Sequence, residues 1–159
     1  MKRKMKGIGT AWAGKKLKRS QAYRRYASGR GSVRNIADDV VDLVNKERTS
    51  RGIPALISDG RLGRIAALKS IDMRDLNYFG HNSPTFGSPE QMLRCFGITF
   101  RTHGENIAWG YETPQSVVAA WMKSKPHRNN ILNPKFTRTG VGWATGGQRR
   151  IIWTQLFTG

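Results

Sequence analysis

Apolar positions begin to recur in a regular way near Ser32. Val33, Ile36, Ala37, Val40, Val41 and Val44 fall at helical spacing, with Arg48 on the same stripe. The first predicted helix runs to Thr49 or Ser50, where Gly52 and Pro54 stop it. Ala55 to Ile57 reads as a short extended piece. Asp59 has the character of an N-cap. It introduces a second amphipathic helix, with Leu62, Ile65, Ala66, Lys69, Met73 and Leu76 along one stripe and an end near Asn77. A turn-rich stretch, Gly80 to Gly87, follows. Ser88-Pro89-Glu90-Gln91 then combines a capping Ser, Pro at the first helical position and Gln where a capping box needs it. That predicts a short helix ending before Gly97. Ile98 to Arg101 and Glu105 to Trp109 are expected to be extended. Thr113-Pro114 opens another helix, carrying Val117, Val118, Ala120, Trp121 and Met122. Pro126 breaks it, and a single-turn helix through Ile131 and Leu132 is expected. Arg138 to Ala144 and Arg149 to Phe157 alternate as two strands, with Gly146-Gly147 as the hairpin turn. Helices come first, then strands with helices inserted. The order predicts an α+β fold, an antiparallel sheet covered by helices, rather than a doubly wound parallel sheet.

Charge changes this picture at one end only. The chain of 159 residues carries a formal net charge of +18. Residues 1–34 hold twelve Lys and Arg and no Asp or Glu. Residues 1–31 therefore read as a basic, disordered arm, and residues 32–159 as the folded domain. No apolar run in the arm reaches the length of a signal-peptide core, and no stretch is long enough to span a bilayer. The single Cys95 excludes an intramolecular disulfide and is expected to be a small buried hydrophobe on a helix.

Candidate chemistry is concentrated in the second half. After residue 80 the acidic residues are Glu90, Glu105 and Glu112. His103 and Glu105, two apart on a strand, project to one face. His81 and His127 lie in turns beside Asn or Arg. Three imidazoles and a carboxylate are a donor set that suits zinc and its neighbours. The alternative is that Glu105 bonds backbone amides in a turn and the histidines are partly exposed polar residues. Arg128 and Asn129-Asn130 are expected to cap the short helix and tie down its loop. Thr154 and Gln155 line either a cavity or a solvent face. Trp121, Trp143 and Trp153 are assigned to the core. No Ser-His-Asp signature, phosphate-binding Gly loop or paired-Cys metal motif is present.

The ordered segments Leu43-Val44-Asn45-Lys46-Glu47-Arg48, Asp72-Met73, His81-Asn82-Ser83-Pro84, Gly104-Glu105-Asn106-Ile107, Ala120-Trp121-Met122-Lys123-Ser124, His127-Arg128-Asn129-Asn130-Ile131-Leu132, Phe136-Thr137-Arg138-Thr139-Gly140-Val141-Gly142 and Trp153-Thr154-Gln155 carry a resemblance. Over residues 36 to 157 the chain resembles a CAP-superfamily domain (cysteine-rich secretory proteins, antigen 5, pathogenesis-related) of the bacterial branch. The resemblance implies a three-layer α-β-α sandwich with a central antiparallel sheet and a polar cleft. Some eukaryotic members place two His and two Glu there and bind zinc. Two of those positions are His81 and Glu105; the second Glu falls at Ser124 and the second His at Ile152. Bacterial relatives share a His just past the helix, His127. The implied cleft is His81, Asn82, Glu105, Asn106, His127, Arg128, Thr154 and Gln155, with His81, Glu105 and His127 as the metal candidates and no cofactor required.

The resemblance does not fix an activity. The leading expectation is a monomeric, non-enzymatic binding module, extracellular or at a bacterial envelope or spore surface. Its cleft would take a small-molecule or peptide ligand or a divalent metal. Its basic arm would attach to teichoic acid, nucleic acid or anionic lipid. A second reading is a hydrolase, with Glu105 as general base and His81 or His127 polarising a water, with or without zinc. A third is non-specific nucleic-acid binding through the arm, steeply dependent on salt.

Overall fold

The computed structural model describes residues 36–159, and the basic arm assigned to residues 1–31 lies outside the described residues. Helix α1, Ile36–Thr49, buries Ala37, Val40, Val41, Val44 and Arg48, which is the stripe read from the sequence. The two-residue strand β1, Ile57–Ser58, leads into helix α2, Gly60–Asp75. Asp59 caps α2 by accepting from the amides of Arg61 and Leu62. Helix α3, Pro89–Cys95, opens with the Ser88–Gln91 capping box. Strand β2 spans His103–Trp109. Helix α4, Pro114–Lys123, is capped by Thr113 and Ser116. Helix α5, Lys125–Ile131, follows at once, then β3, Arg138–Thr145, and β4, Ile151–Thr158.

The sheet order is β1-β3-β4-β2. The three long strands are antiparallel, and β1 adds a short parallel edge against β3. Opposite faces of this sheet meet different helices. Residues such as Ala108, Val141, Trp153 and Phe157 join Val40, Val44, Val117 and Trp121 in the larger apolar cluster, with α1 and α4. The other face is read from the register, in which Gly140 and Gly142 stand opposite Leu156 and Thr154. A Cβ at Gly142 would collide with the backbone nitrogen of Ala67, and one at Gly140 with that of Gly63. Helix α2 therefore rests on strand backbone at these two positions. The three-layer sandwich expected from the sequence is the fold observed.

Four local expectations change. Ile98 to Arg101 forms no strand; these residues lead into β2, which begins at His103. Helix α5 has seven residues rather than one turn. Pro126 sits in its first turn, where a missing N–H costs no helical bond. Strand β4 begins at Ile151, because Gly146, Gly147 and Arg150 all take positive φ in the hairpin loop. Cys95 is exposed at the last position of α3, while Met92 and Leu93 supply that helix's buried side.

Arg48 ties the fold around the loop after α5. It is 1% exposed. Its guanidinium donates to the carbonyls of Pro54, Ile131, Asn133 and Phe136 at 2.9, 2.7, 2.9 and 3.2 Å. Four carbonyl dipoles satisfy the guanidinium's fork in place of a carboxylate.

Candidate functional site

His81 sits in the loop between α2 and α3, and several bonds fix that loop. Asp72, buried on α2, accepts from the hydroxyls of Tyr78, Ser83 and Thr85 at 2.6, 2.6 and 2.5 Å. Ser83 and Gly87 exchange backbone bonds of 2.8 Å in both directions. Lys69, one turn before Asp72, donates its Nζ to the His81 carbonyl at 2.6 Å. The loop's position is thus set by the polar side of a helix whose apolar side packs on the sheet.

So held, His81 reaches Glu105 on β2. Its Nδ1 lies 2.7 Å from Glu105 Oε1. The two members differ in environment: the imidazole is 55% exposed and the carboxylate 2%. Oε2 of Glu105 is buried and has no hydrogen-bond partner among the described residues. The carboxylate therefore takes an imidazole, not the backbone amides of a turn. A Glu holding Nδ1 orients the ring and leaves Nε2 toward other partners, the arrangement that suits an imidazole for hydrogen bonding or proton transfer.

A cleft of about 430 Å³ is lined by Phe79, Ile107, Ala108, Trp109, Tyr111, Ala120, Trp121, Ser124 and His127; of the cleft residues expected from the sequence, only His127 is in this lining. Phe79, Trp109 and Tyr111 are its exposed aromatic groups. Burial, and then the nearby charge of His81, push the His127 imidazole below its ordinary range. His127 therefore stays neutral near pH 7 and keeps one donor and one acceptor nitrogen.

The remaining predicted residues divide between site and support. Asn82 is exposed beside His81. Asn106 is fully buried; its amide donates to the His127 carbonyl at 3.2 Å and its oxygen accepts from Asn130 at 2.9 Å. Asn130 also donates to the Glu105 carbonyl at 3.2 Å. These bonds fasten α5 to the outer edge of β2. Arg128 donates to the Met122 carbonyl at 2.9 Å, tying α5 to the end of α4. Thr154 and Gln155 lie neither on a cavity wall nor on a solvent face. Both are fully buried, Thr154 against Ser70 at 2.8 Å and Gln155 against Asn106 and Thr139 at 3.4 and 3.3 Å. Trp121 and Trp153 are buried as expected. His103 does not meet His81 or His127 in a shared set. It lies edge-on to Phe100, at 5.2 Å between ring centroids, with a buried Nδ1 that has no hydrogen-bond partner among the described residues.

Two contributors carried no role in the sequence reading: Lys69 and Tyr78. Burial pushes the Lys69 ammonium down, while Glu105 and Asp72 draw it back up. Burial and the bond to Asp72 push the Tyr78 phenol well above its ordinary range, so it remains a neutral donor. Lys69 stood in view on the apolar stripe of α2. A cation on a stripe that faces the core was the available signal.

A family model described as CAP, the cysteine-rich secretory protein family, matches residues 41–157. The chain belongs to the CAP family. It is 51% identical to the Bacillus subtilis (strain 168) protein YkwD over 132 residues, which is 83% of this chain and 50% of YkwD. It therefore spans half the length of that relative. An extracellular protein containing an SCP domain from Bacillus anthracis superimposes with a TM-score of 0.71 at 34% identity, covering 77% of this chain and 40% of that one. An outer surface protein of Borrelia burgdorferi superimposes with a TM-score of 0.72 at 19% identity, covering 82% of this chain and 96% of that one. That last likeness shows the fold alone.

The zinc implied for some CAP domains does not fit the residues found here. Among the described residues, no three His, Cys, Asp or Glu side chains group closely enough to hold an ion. His81, Glu105 and His127 do not meet as a three-ligand set. Ser124 lines the cleft with a hydroxyl in place of a carboxylate. Ile152 is buried with Met73 and Ile107 and offers no donor.

Proposed function

We propose that this CAP domain is a ligand-binding module working outside the cell, at a bacterial envelope or spore surface. The observation that carries this reading is the aromatic cleft lined by Phe79, Trp109, Tyr111 and His127. Exposed rings of Phe79, Trp109 and Tyr111 offer apolar contact, and Ser124 and neutral His127 offer hydrogen bonds. A few placed polar groups in a largely apolar recess are the usual make-up of a small-molecule or peptide site. Residues 1–31 add a basic segment that anionic polymers such as teichoic acid, nucleic acid or lipid headgroups would attract. The extracellular setting is supported by the likeness to the Bacillus anthracis protein, which is described as extracellular. The test is co-sedimentation of the full chain with purified bacterial wall sacculi across a salt series. Retention that falls with salt for the wild type, and falls further for Trp109→Ala, is expected. Equal retention of the two proteins at every salt concentration would remove the cleft from the account.

A second reading is favoured by the Nδ1 contact. An imidazole backed by a buried carboxylate is equipped to take a proton from water through Nε2. This makes the domain a hydrolase with His81 as general base and Glu105 as its orienting partner. That assignment exchanges the roles expected from the sequence, because Glu105 is too buried to meet a water in the cleft directly. Release of soluble fragments from sacculi, lost in a folded Glu105→Gln variant, would establish it. Undiminished release by that variant would exclude it.

A further inference from the structure

We propose that the buried ammonium of Lys69 is the resident cation of the Glu105 site and keeps a divalent metal out of it. Four observations converge on this side chain. Lys69 is 1% exposed, among the most buried large side chains of the domain. Its Nζ donates to the His81 carbonyl at 2.6 Å. The same Nζ lies 5.1 Å from the centroid of the Tyr78 ring, whose face attracts a cation. Both buried carboxylates of this region, Glu105 and Asp72, act on it electrostatically.

Charge balance explains why the arrangement is stable. Two carboxylates buried without a cation would be costly, because each loses its hydration. Asp72 is compensated partly by three hydroxyl donors. Glu105 has one imidazole donor and one oxygen with no partner among the described residues. The Lys69 ammonium, on which both carboxylates act, supplies positive charge to this region from its bond to the His81 carbonyl. It also anchors the His81 loop through a carbonyl, which a metal bound to imidazole and carboxylate would leave untouched. A divalent ion entering next to Glu105 would meet this fixed cation, and the repulsion between them is strong where water is excluded. Ser124 and Ile152, which offer no carboxylate or imidazole, and the ammonium of Lys69 thus act in the same direction. The site thus carries a covalently tethered cation, which no chelator can remove.

The test is a zinc titration of the full chain followed by amide NMR, for the wild type, Lys69→Arg and Lys69→Met. The wild type and Lys69→Arg are expected to show no saturable shifts at residues 81 and 105. Lys69→Met, which keeps the stem and deletes the charge, is expected to take zinc at least about tenfold more tightly, with shifts at those residues. Saturable zinc binding by the wild type at His81 and Glu105 would overturn the proposal, and it is readable even if Lys69→Met does not fold. A folded Lys69→Met protein with no gain in zinc affinity would overturn it too.

Discussion

The two faces of the central sheet are covered by different chemistry. The face toward α1 and α4 is filled mainly by volume: Val40, Val44, Val117, Trp121, Trp153 and Phe157 are buried and apolar, and its strand polar groups Asn106, Thr139 and Gln155 bond to one another. The face toward α2 is fitted by close approach and polar bonds. Gly140 and Gly142 bring helix and strand backbones together, and Lys69, Ser70, Asp72, Glu105 and Thr154 are buried there. A volume-filled face tolerates substitution if size is kept. A face built on backbone contact and satisfied polar groups does not. The candidate site grows out of the second face, where α2 both packs on the sheet and fixes the His81 loop.

Substitutions on each face sharpen the contrast. Trp153→Ala should have the largest effect, a loss of about 3–5 kcal/mol in denaturant unfolding. It removes a fully buried indole that also donates to the Tyr111 carbonyl at 2.7 Å. Gly142→Ala adds a single carbon on the opposite face, yet should cost about 3 kcal/mol, because the new Cβ would collide with helix backbone that cannot swing aside. If Gly142→Ala proves as mild as an ordinary surface change, the close-contact account of the α2 face is wrong. Asp72→Asn keeps size but removes the charge that three hydroxyls and Lys69 address. A loss of about 1–3 kcal/mol is expected, with faster amide exchange concentrated in residues 81–87. Uniform acceleration over the whole domain would show that Asp72 supports the fold in general and not the His81 loop.

The smallest effect concerns pH. The folded-state value of His127 is depressed below its ordinary 6.5. The unfolded chain therefore binds the proton more readily over the interval between the two values. The stability contributed by His127 is complete above 6.5 and is lost as pH falls toward the depressed native value. His127→Gln should flatten the stability profile in that interval, and an unchanged slope would assign the acid sensitivity to other groups.

Most of the frame was legible in the sequence, because it rests on local signals. The Ser88–Gln91 and Thr113-Pro114 helix starts and the α1 stripe depend on neighbours within a few residues. The pairing of His81 with Glu105, 24 residues apart, depends on tertiary placement, and only the family resemblance brought the two positions together. Thr154 and Gln155 were ambiguous for a related reason. Neighbours on a strand point to opposite faces, and a polar residue there normally implies water, but β4 lies inside the sheet with both faces covered, so Thr154 bonds to Ser70 on one side and Gln155 to Asn106 and Thr139 on the other. Lys69 was visible only as a misfit on an apolar stripe. Its meaning required knowing that its ammonium bonds the His81 carbonyl and lies under the influence of two buried carboxylates.

The measurement that bears most directly on function is an amide NMR titration of the full chain with soluble glycopeptide fragments of a bacterial cell wall, repeated on Trp109→Ala. The account predicts saturable shifts at Phe79, Trp109, Tyr111, Ser124 and His127, weakened at least about tenfold in the variant. Shifts confined to residues 1–31, with the cleft silent in both proteins, would contradict it.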